Sequence, residues 1–252
     1  MTYISISSEL AAKIVRCIED AVGDDIRADI QKSGLRTGNS IPARIWDLLN
    51  TNISDMLPET DCEALTAKRG FWDMLIVYEK STQCIMTFMR EERFKELRRK
   101  QKDRTQMHYI DIFARMFNGE LVPGKEQMSL LPHVFSDEDK LAERAQSILR
   151  DLEGGTDVVK HHVLVLFEAS AFQLTSVRAV MITPSLDVAQ GCEENWSQYI
   201  SAAESVIADK ISRPSAPVNQ PNHGLKFKDK AIARQRQDLA FKDNQEEEKK
   251  HG

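Results

Sequence analysis

Long hydrophobic runs are missing from this chain of 252 residues. Its longest unbroken apolar stretches, Met74–Tyr78 and Val163–Phe167, hold about five residues, whereas a membrane-spanning helix needs roughly 20. The opening segment, Met1-Thr2-Tyr3-Ile4-Ser5-Ile6-Ser7, lacks the basic stretch and the apolar core of a secretory signal. Cysteine is scarce. Cys17, Cys62, Cys84 and Cys192 are scattered and form no C-x-x-C pair, which favours free thiols in a reducing cytoplasm over a disulfide framework. The catalytic signatures G-x-S-x-G, H-E-x-x-H and a supported S-x-x-K are absent, and no repeat of 20–50 residues is evident. An excess of one charge is missing too. Lys and Arg total 34 against 39 Asp and Glu, a net −5 that excludes a globally basic nucleic-acid coat and leaves room for a local basic patch. These absences lead to the expectation of a cytoplasmic protein with no membrane span, no cofactor, no metal site and no assignable catalytic residue.

What is present reads as a folded α+β body with a polar tail. Leu10, Ile14, Cys17/Ile18 and Ala21/Val22 recur at helical spacing over 8–33. Ser7 is the candidate N-cap, Gly23-Asp24-Asp25 a break between two helices, and Gly34 a natural stop. After Pro42 a stripe of Ile45, Leu48, Leu49 and Ile53 predicts another helix up to Leu57. Phe71–Tyr78 and Cys84–Met89, joined by Glu79-Lys80-Ser81-Thr82, predict a β-hairpin, with a further strand around Cys62–Thr66. Helices follow over 90–104 and 107–117, then a loop over 119–135. Ser136-Asp137-Glu138-Asp139 reads as the cap of a helix carrying Leu141, Ala145, Ile148, Leu149 and Leu152. Val158–Glu168 and Gln173–Ile182 predict a second hairpin, and Val188–Ile200 and Ala202–Ile211 predict helices.

The fold class expected is α+β: two β-hairpins in one antiparallel or mixed sheet, with helices on one face. The boundaries are a single domain over 1–212 and a disordered polar tail over 213–252. The tail has 9 basic and 6 acidic residues, or +3, and 1–212 has 25 and 33, or −8.

Several motifs bear on chemistry. Gly119-Glu120-Leu121-Val122-Pro123-Gly124-Lys125-Glu126 meets the G-x4-G-K spacing of a phosphate loop. It has Glu126 where Ser or Thr should hold magnesium, and it follows a helical segment where the motif needs a strand; a plain loop is the better reading. His161 and His162 are adjacent on a strand and point to opposite faces, so they cannot chelate together. A magnesium nuclease needs carboxylates and a lysine, usually as E-x-K on a strand. This chain has Glu79-Lys80 at a turn, with Asp47 and Asp73 as the remaining candidates. Residues 90–104 hold 8 basic and 4 acidic side chains. Arg98, Arg99, Lys100 and Lys102 are the candidate phosphate contacts there, set against a solvated face of pairs such as Glu92–Lys95.

Arg44, Trp46, Asp47, Lys68, Arg69, Trp72, Asp73, Arg90, His108, Tyr109 and Asp111 form the richest polar set. Charges inside apolar runs are costly unless paired, so these residues are expected to converge, Arg44 or Arg90 meeting Asp47, Asp73 or Asp111. Such a cluster serves either as a structural network or as an anion or partner pocket, since Trp with Arg is also what interface hot spots use.

Blocks of the same region resemble an uncharacterised bacterial and prophage protein family of unknown function, over about 36–200. They are Gly38-Asn39-Ser40 with Arg44-Ile45-Trp46-Asp47, Lys68-Arg69-Gly70-Phe71-Trp72, Phe88-Met89-Arg90-Glu91, Met107-His108-Tyr109 and Trp196-Ser197-Gln198-Tyr199-Ile200. The resemblance implies a bacterial cytoplasmic protein linked to regulation, a toxin–antitoxin pair or phage conflict, and carries no activity with it. The functional expectation is therefore a non-enzymatic interaction or regulatory protein with an unidentified protein partner. The alternative is a divergent metal-dependent nuclease, or a nucleic-acid-binding protein using 90–104.

Overall fold

A computed structural model describes residues 4–34, 36–69, 72–124 and 135–201, all within one unit, Met1–Glu204. The expected helix over 202–211, the disordered tail and most of the 119–135 loop lie outside the described residues.

The first helices form where the apolar period placed them. Helix α1 spans Ser8–Val22 and α2 spans Asp24–Ser33. The Ser7 hydroxyl accepts the Leu10 N–H at 3.2 Å and so satisfies one of the orphan donors of the first turn. Gly34 takes a left-handed φ of 58° to close α2. Helix α3 spans Ile41–Met56 with Pro42 in its first turn, and it buries Ile45, Leu49 and Ile53.

Strands β1 (Cys62–Arg69), β2 (Trp72–Glu79) and β3 (Cys84–Arg90) form an antiparallel meander. Helices α4 (Glu91–Arg99), α5 (Tyr109–Phe117) and α6 (Leu141–Ile148) then cross to a second antiparallel meander of β4 (His161–Ser170), β5 (Gln173–Ile182) and β6 (Val188–Asn195). The two meanders join through β3 and β4, which run parallel from Cys84↔His161 to Arg90↔Phe167. The result is one mixed six-stranded sheet in sequential order, β1 to β6.

Helices cover both faces of this sheet, which corrects the one-face expectation. The alternating strand residues explain it. Val77, Met86, Val165, Phe167 and Ala179 pack with Ile14, Ile18, Leu49 and Ile53 of α1–α3. Their neighbours Ile76, Ile85, Leu164, Leu166 and Val180 pack with Phe94, Ile110, Phe113 and Ala145 of α4–α6. Strands buried on both sides read as continuous apolar runs, because neither face is left to carry polar residues.

Two further expectations are corrected. Val188–Ile200 is not a helix: it is β6 followed by a 3-10 turn over Ser197–Tyr199. Between Val180↔Glu193 and Ile182↔Val188 the register shifts, with Gly191 at φ 70°. This bulge puts the buried residues Ala189 and Cys192 three apart, a spacing that imitates a helical period. The helix expected from Ser136 is shorter, because the Asp137 carboxylate does not cap it. It accepts the Met107 N–H at 3.1 Å and pairs with Arg144.

All four cysteines are free. Burial raises the Cys17 thiol to about 11, so it is an inert packing residue. Among the described residues no helix is long and apolar enough to cross a membrane.

Candidate functional site

One end of the sheet gathers the starts of β2 and β5 and the ends of β3 and β4. Strand β2 stays paired with β1 along all its length, from Arg69↔Trp72 to Cys62↔Glu79. It pairs with β3 only from Val77↔Met86 to Glu79↔Cys84. The β1–β2 ribbon therefore diverges from β3, and a fork opens in the sheet. Asp73 lies on one arm of the fork. Arg90 lies at the end of the other, on the α1–α3 side that Phe88 shares. Lys68 is opposite Asp73 on the ribbon, and the adjacent Trp72, on the ribbon's other face, is 58% exposed.

At the base of the fork, Phe167 of β4 is held between two of the sequence-selected residues. Trp46 of α3 meets its ring edge-on with centroids 5.7 Å apart. The Arg90 guanidinium sits over the same ring, 5.7 Å from the centroid. Among the described residues the Arg90 side chain has no carboxylate partner, although it is half-buried.

Helix α4 leaves this corner along the other face. Its inner face is anchored by Glu91, 6% exposed, whose carboxylate receives two hydrogen bonds from Arg178 at 2.9 and 2.7 Å. Arg178 also reaches Glu193 at 2.7 Å. Burial alone would lower the guanidinium's pKa, but the two carboxylates hold it above its ordinary value. The outer face carries a groove of about 500 Å³ lined by Arg90, Glu92, Arg93, Lys95, Glu96 and Arg99. Hydrogen bonds from Lys100 and then Arg93 hold the Glu96 carboxyl down to about 2.

The cations of 90–104 thus divide. Arg93 and Lys100 are tied to Glu96, Lys95 to Glu91 and Glu168, and Arg98 to Asp187. Arg99 and Lys102 have no ion pair among the described residues. Lys95 turns to Glu91 and Glu168 at 3.7 and 3.2 Å, not to the expected Glu92.

The remaining candidates do not converge here. Arg44 pairs with Asp29 of α2, not with Asp47, Asp73 or Asp111. Asp47 is exposed on α3. Asp111, fully buried, lies toward the opposite end of the sheet, where Gln101 bridges it to the Pro184 carbonyl. It accepts from both Arg104 terminal nitrogens and from the His108 backbone N–H at 2.8 Å. His108 in return receives the Ile110 N–H, so this pair is a capping box that starts α5. Tyr109 stacks between His108 and Phe113. The expected single cluster is therefore three separate arrangements, because long-range pairing of strands and helices, not sequence proximity, decides which charges meet. Gly124, the second glycine of the near-miss phosphate loop, donates its N–H to Val188, and the preceding segment is helix α5.

Sequence reasoning missed Phe167, Glu91 and Arg178. Phe167 closed an apolar run and looked like ordinary core. Glu91 opposite Arg178 had no local signal, being 87 residues apart.

Fold and site together define an α+β protein with a mixed sheet and a charged, aromatic-bearing sheet end. Among the described residues no three His, Cys, Asp or Glu groups are placed to hold a metal ion. The chain belongs to the family of unknown function DUF5986, whose model matches residues 3–242. No curated protein and no solved structure matches it.

Proposed function

We propose that this is a non-catalytic interaction or regulatory protein that engages a protein partner at the forked end of its sheet. The observation that carries this reading is Trp72, 58% exposed on a ribbon that leaves the sheet, with the charges of Lys68 and Asp73 on the other face of the same ribbon. A large exposed aromatic with flanking charges has the composition of an interface hot spot. Arg90 and Trp46 on Phe167 supply a second aromatic–cation pair at the same end. The bacterial, cytoplasmic and prophage-linked setting, with a role in regulation, a toxin–antitoxin pair or phage conflict, rests on the sequence resemblance. The division into a domain over 1–212 and a basic polar tail over 213–252 rests on composition. The nuclease candidates Asp47 and Asp73 are both exposed, on α3 and β2, and no observation favours that alternative.

The test is affinity capture from the source cells with wild type and Trp72→Ala. A stoichiometric protein recovered by wild type, and bound about 30-fold more weakly by the variant, is the expected result, since truncating a hot-spot Trp costs roughly 2 kcal/mol. Failure to recover a partner, or equal recovery by both, overturns the reading.

A further inference from the structure

The two edges of the sheet are treated differently. The β6 edge is protected. Val122 accepts the Gln190 N–H at 2.9 Å, the Gly124 N–H donates to Val188 at 3.0 Å, and Pro123 bridges Ala189. The bulge at Gly191 distorts what remains. These are devices that stop a sheet from growing.

The β1 edge has none of them. The strand carries no Pro and no bulge over its eight residues, Cys62–Arg69, and among the described residues nothing pairs with its outer side. Which backbone groups face outward follows from the turn. The Lys80 N–H donates to the Asp61 carbonyl at 3.1 Å, so residues 61 and 80 form a hydrogen-bonded pair. Alternation along an antiparallel ladder then turns Glu63, Leu65, Ala67 and Arg69 toward β2. It leaves the N–H and C=O of Cys62, Ala64, Thr66 and Lys68 pointing away from the sheet. The centre of the strand, Ala64-Leu65-Thr66-Ala67, is small and uncharged, and Ala64 and Thr66 are exposed.

We propose that this edge pairs antiparallel with β1 of a second copy, joining two six-stranded sheets into one across a two-fold axis. A two-fold axis requires a self-complementary strand, and β1 is one. Its first end is acidic, with Asp61 and Glu63, and its last end is basic, with Lys68 and Arg69. Antiparallel pairing lays the acidic end of each copy beside the basic end of the other, while a parallel copy would stack like charges. The register centred on Leu65 uses every outward group: Cys62 faces the other copy's Lys68, and Ala64 faces its Thr66. Each such pair exchanges two hydrogen bonds. The contact shares Lys68 with the partner reading above but not Trp72, which lies at the ribbon tip and not along its outer edge.

The experiment is sedimentation velocity on the full chain from about 1 to 200 µM, the range in which a small edge-to-edge contact associates. Wild type should shift from monomer to dimer across it. Thr66→Pro removes one outward N–H and leaves the ladder to β2 intact, so it should weaken dimerisation at least tenfold with unchanged circular dichroism. Amide exchange of the wild type, read by NMR, supplies the second measurement. Protection at Ala64, Thr66 and Lys68 should rise with protein concentration, while Leu65 and Ala67 stay protected throughout. A chain that remains monomeric to 200 µM overturns the proposal. So does a dimer that survives in folded Thr66→Pro, or exchange at Ala64 and Thr66 that ignores concentration. Loss of partner capture in Trp72→Ala with the dimer intact would separate the two surfaces.

Discussion

His162 should set the acid limit of this protein. Its ring is fully buried on the α4–α6 side of β4, 5.1 Å from the Phe113 ring. Its Nε2 is 2.8 Å from the Thr87 hydroxyl, and among the described residues its buried Nδ1 has no hydrogen-bond partner. Asn118 fastens the surrounding backbone by accepting the His162 N–H and donating to its carbonyl. A proton added here would create a buried cation and an N–H with no acceptor, and burial accordingly pushes the pKa from 6.5 down to about 3. Unfolding restores the ordinary value, so below pH 6.5 the unfolded chain binds a proton that the folded chain refuses. Stability must fall as pH drops from 6.5 toward 3, at about 1.4 kcal/mol per pH unit. Between pH 7 and pH 5 the loss integrates to about 2 kcal/mol, a large part of the margin of a typical domain. The assay is urea unfolding at pH 7, 6 and 5, for wild type and His162→Gln. The variant cannot titrate, so the difference between the two curves isolates this side chain from every other histidine. Wild type should lose about 2 kcal/mol more than the variant. Parallel pH profiles would refute the reasoning.

Two further outcomes are expected. Glu91→Ala should cost about 2 kcal/mol in chemical denaturation, because it strips the half-buried Arg178 guanidinium of its two-point partner, while Arg98→Ala, at an exposed pair, should cost under about 1 kcal/mol. The turn between β4 and β5 holds Ala171 and Phe172 at φ 50° and 60°, values that suit Asn and Gly, so Ala171→Asn with Phe172→Gly should raise the melting free energy by about 1–2 kcal/mol; a loss of stability would show that the Phe172 side chain outweighs the strain.

Much of the fold is legible in the chain because its signals are local. The Ser7 cap, the Gly23 break, the Gly34 stop and both hairpins follow from spacing within a few residues. The opposite facing of His161 and His162 is equally local, and only the second is fully buried. What escaped was long-range or irregular. The bulge at Gly191 gave β6 a helical spacing. The Asp137 carboxylate was claimed by Met107, 30 residues away, so its cap signal misled. The site was half legible for the same reason: Trp46, Arg90, Lys68, Trp72 and Asp73 do reach one sheet end, but Asp111 was already committed to Arg104 and His108.

The parallel seam between β3 and β4 makes the two halves of the chain hostages to each other. Each half runs three helices and then three strands, an order that suggests two modules laid end to end. Yet the helices of the first half rest partly on Val177, Ala179, Met181 and Trp196 of the second, and those of the second half shelter Leu65, Ile76 and Ile85 of the first. Neither half can finish its core before residues 84–90 find 161–167, a search that spans three intervening helices and closes a large loop. The chain is therefore committed late and as a whole: a ribosome that has made only the first half has made strands with one bare face.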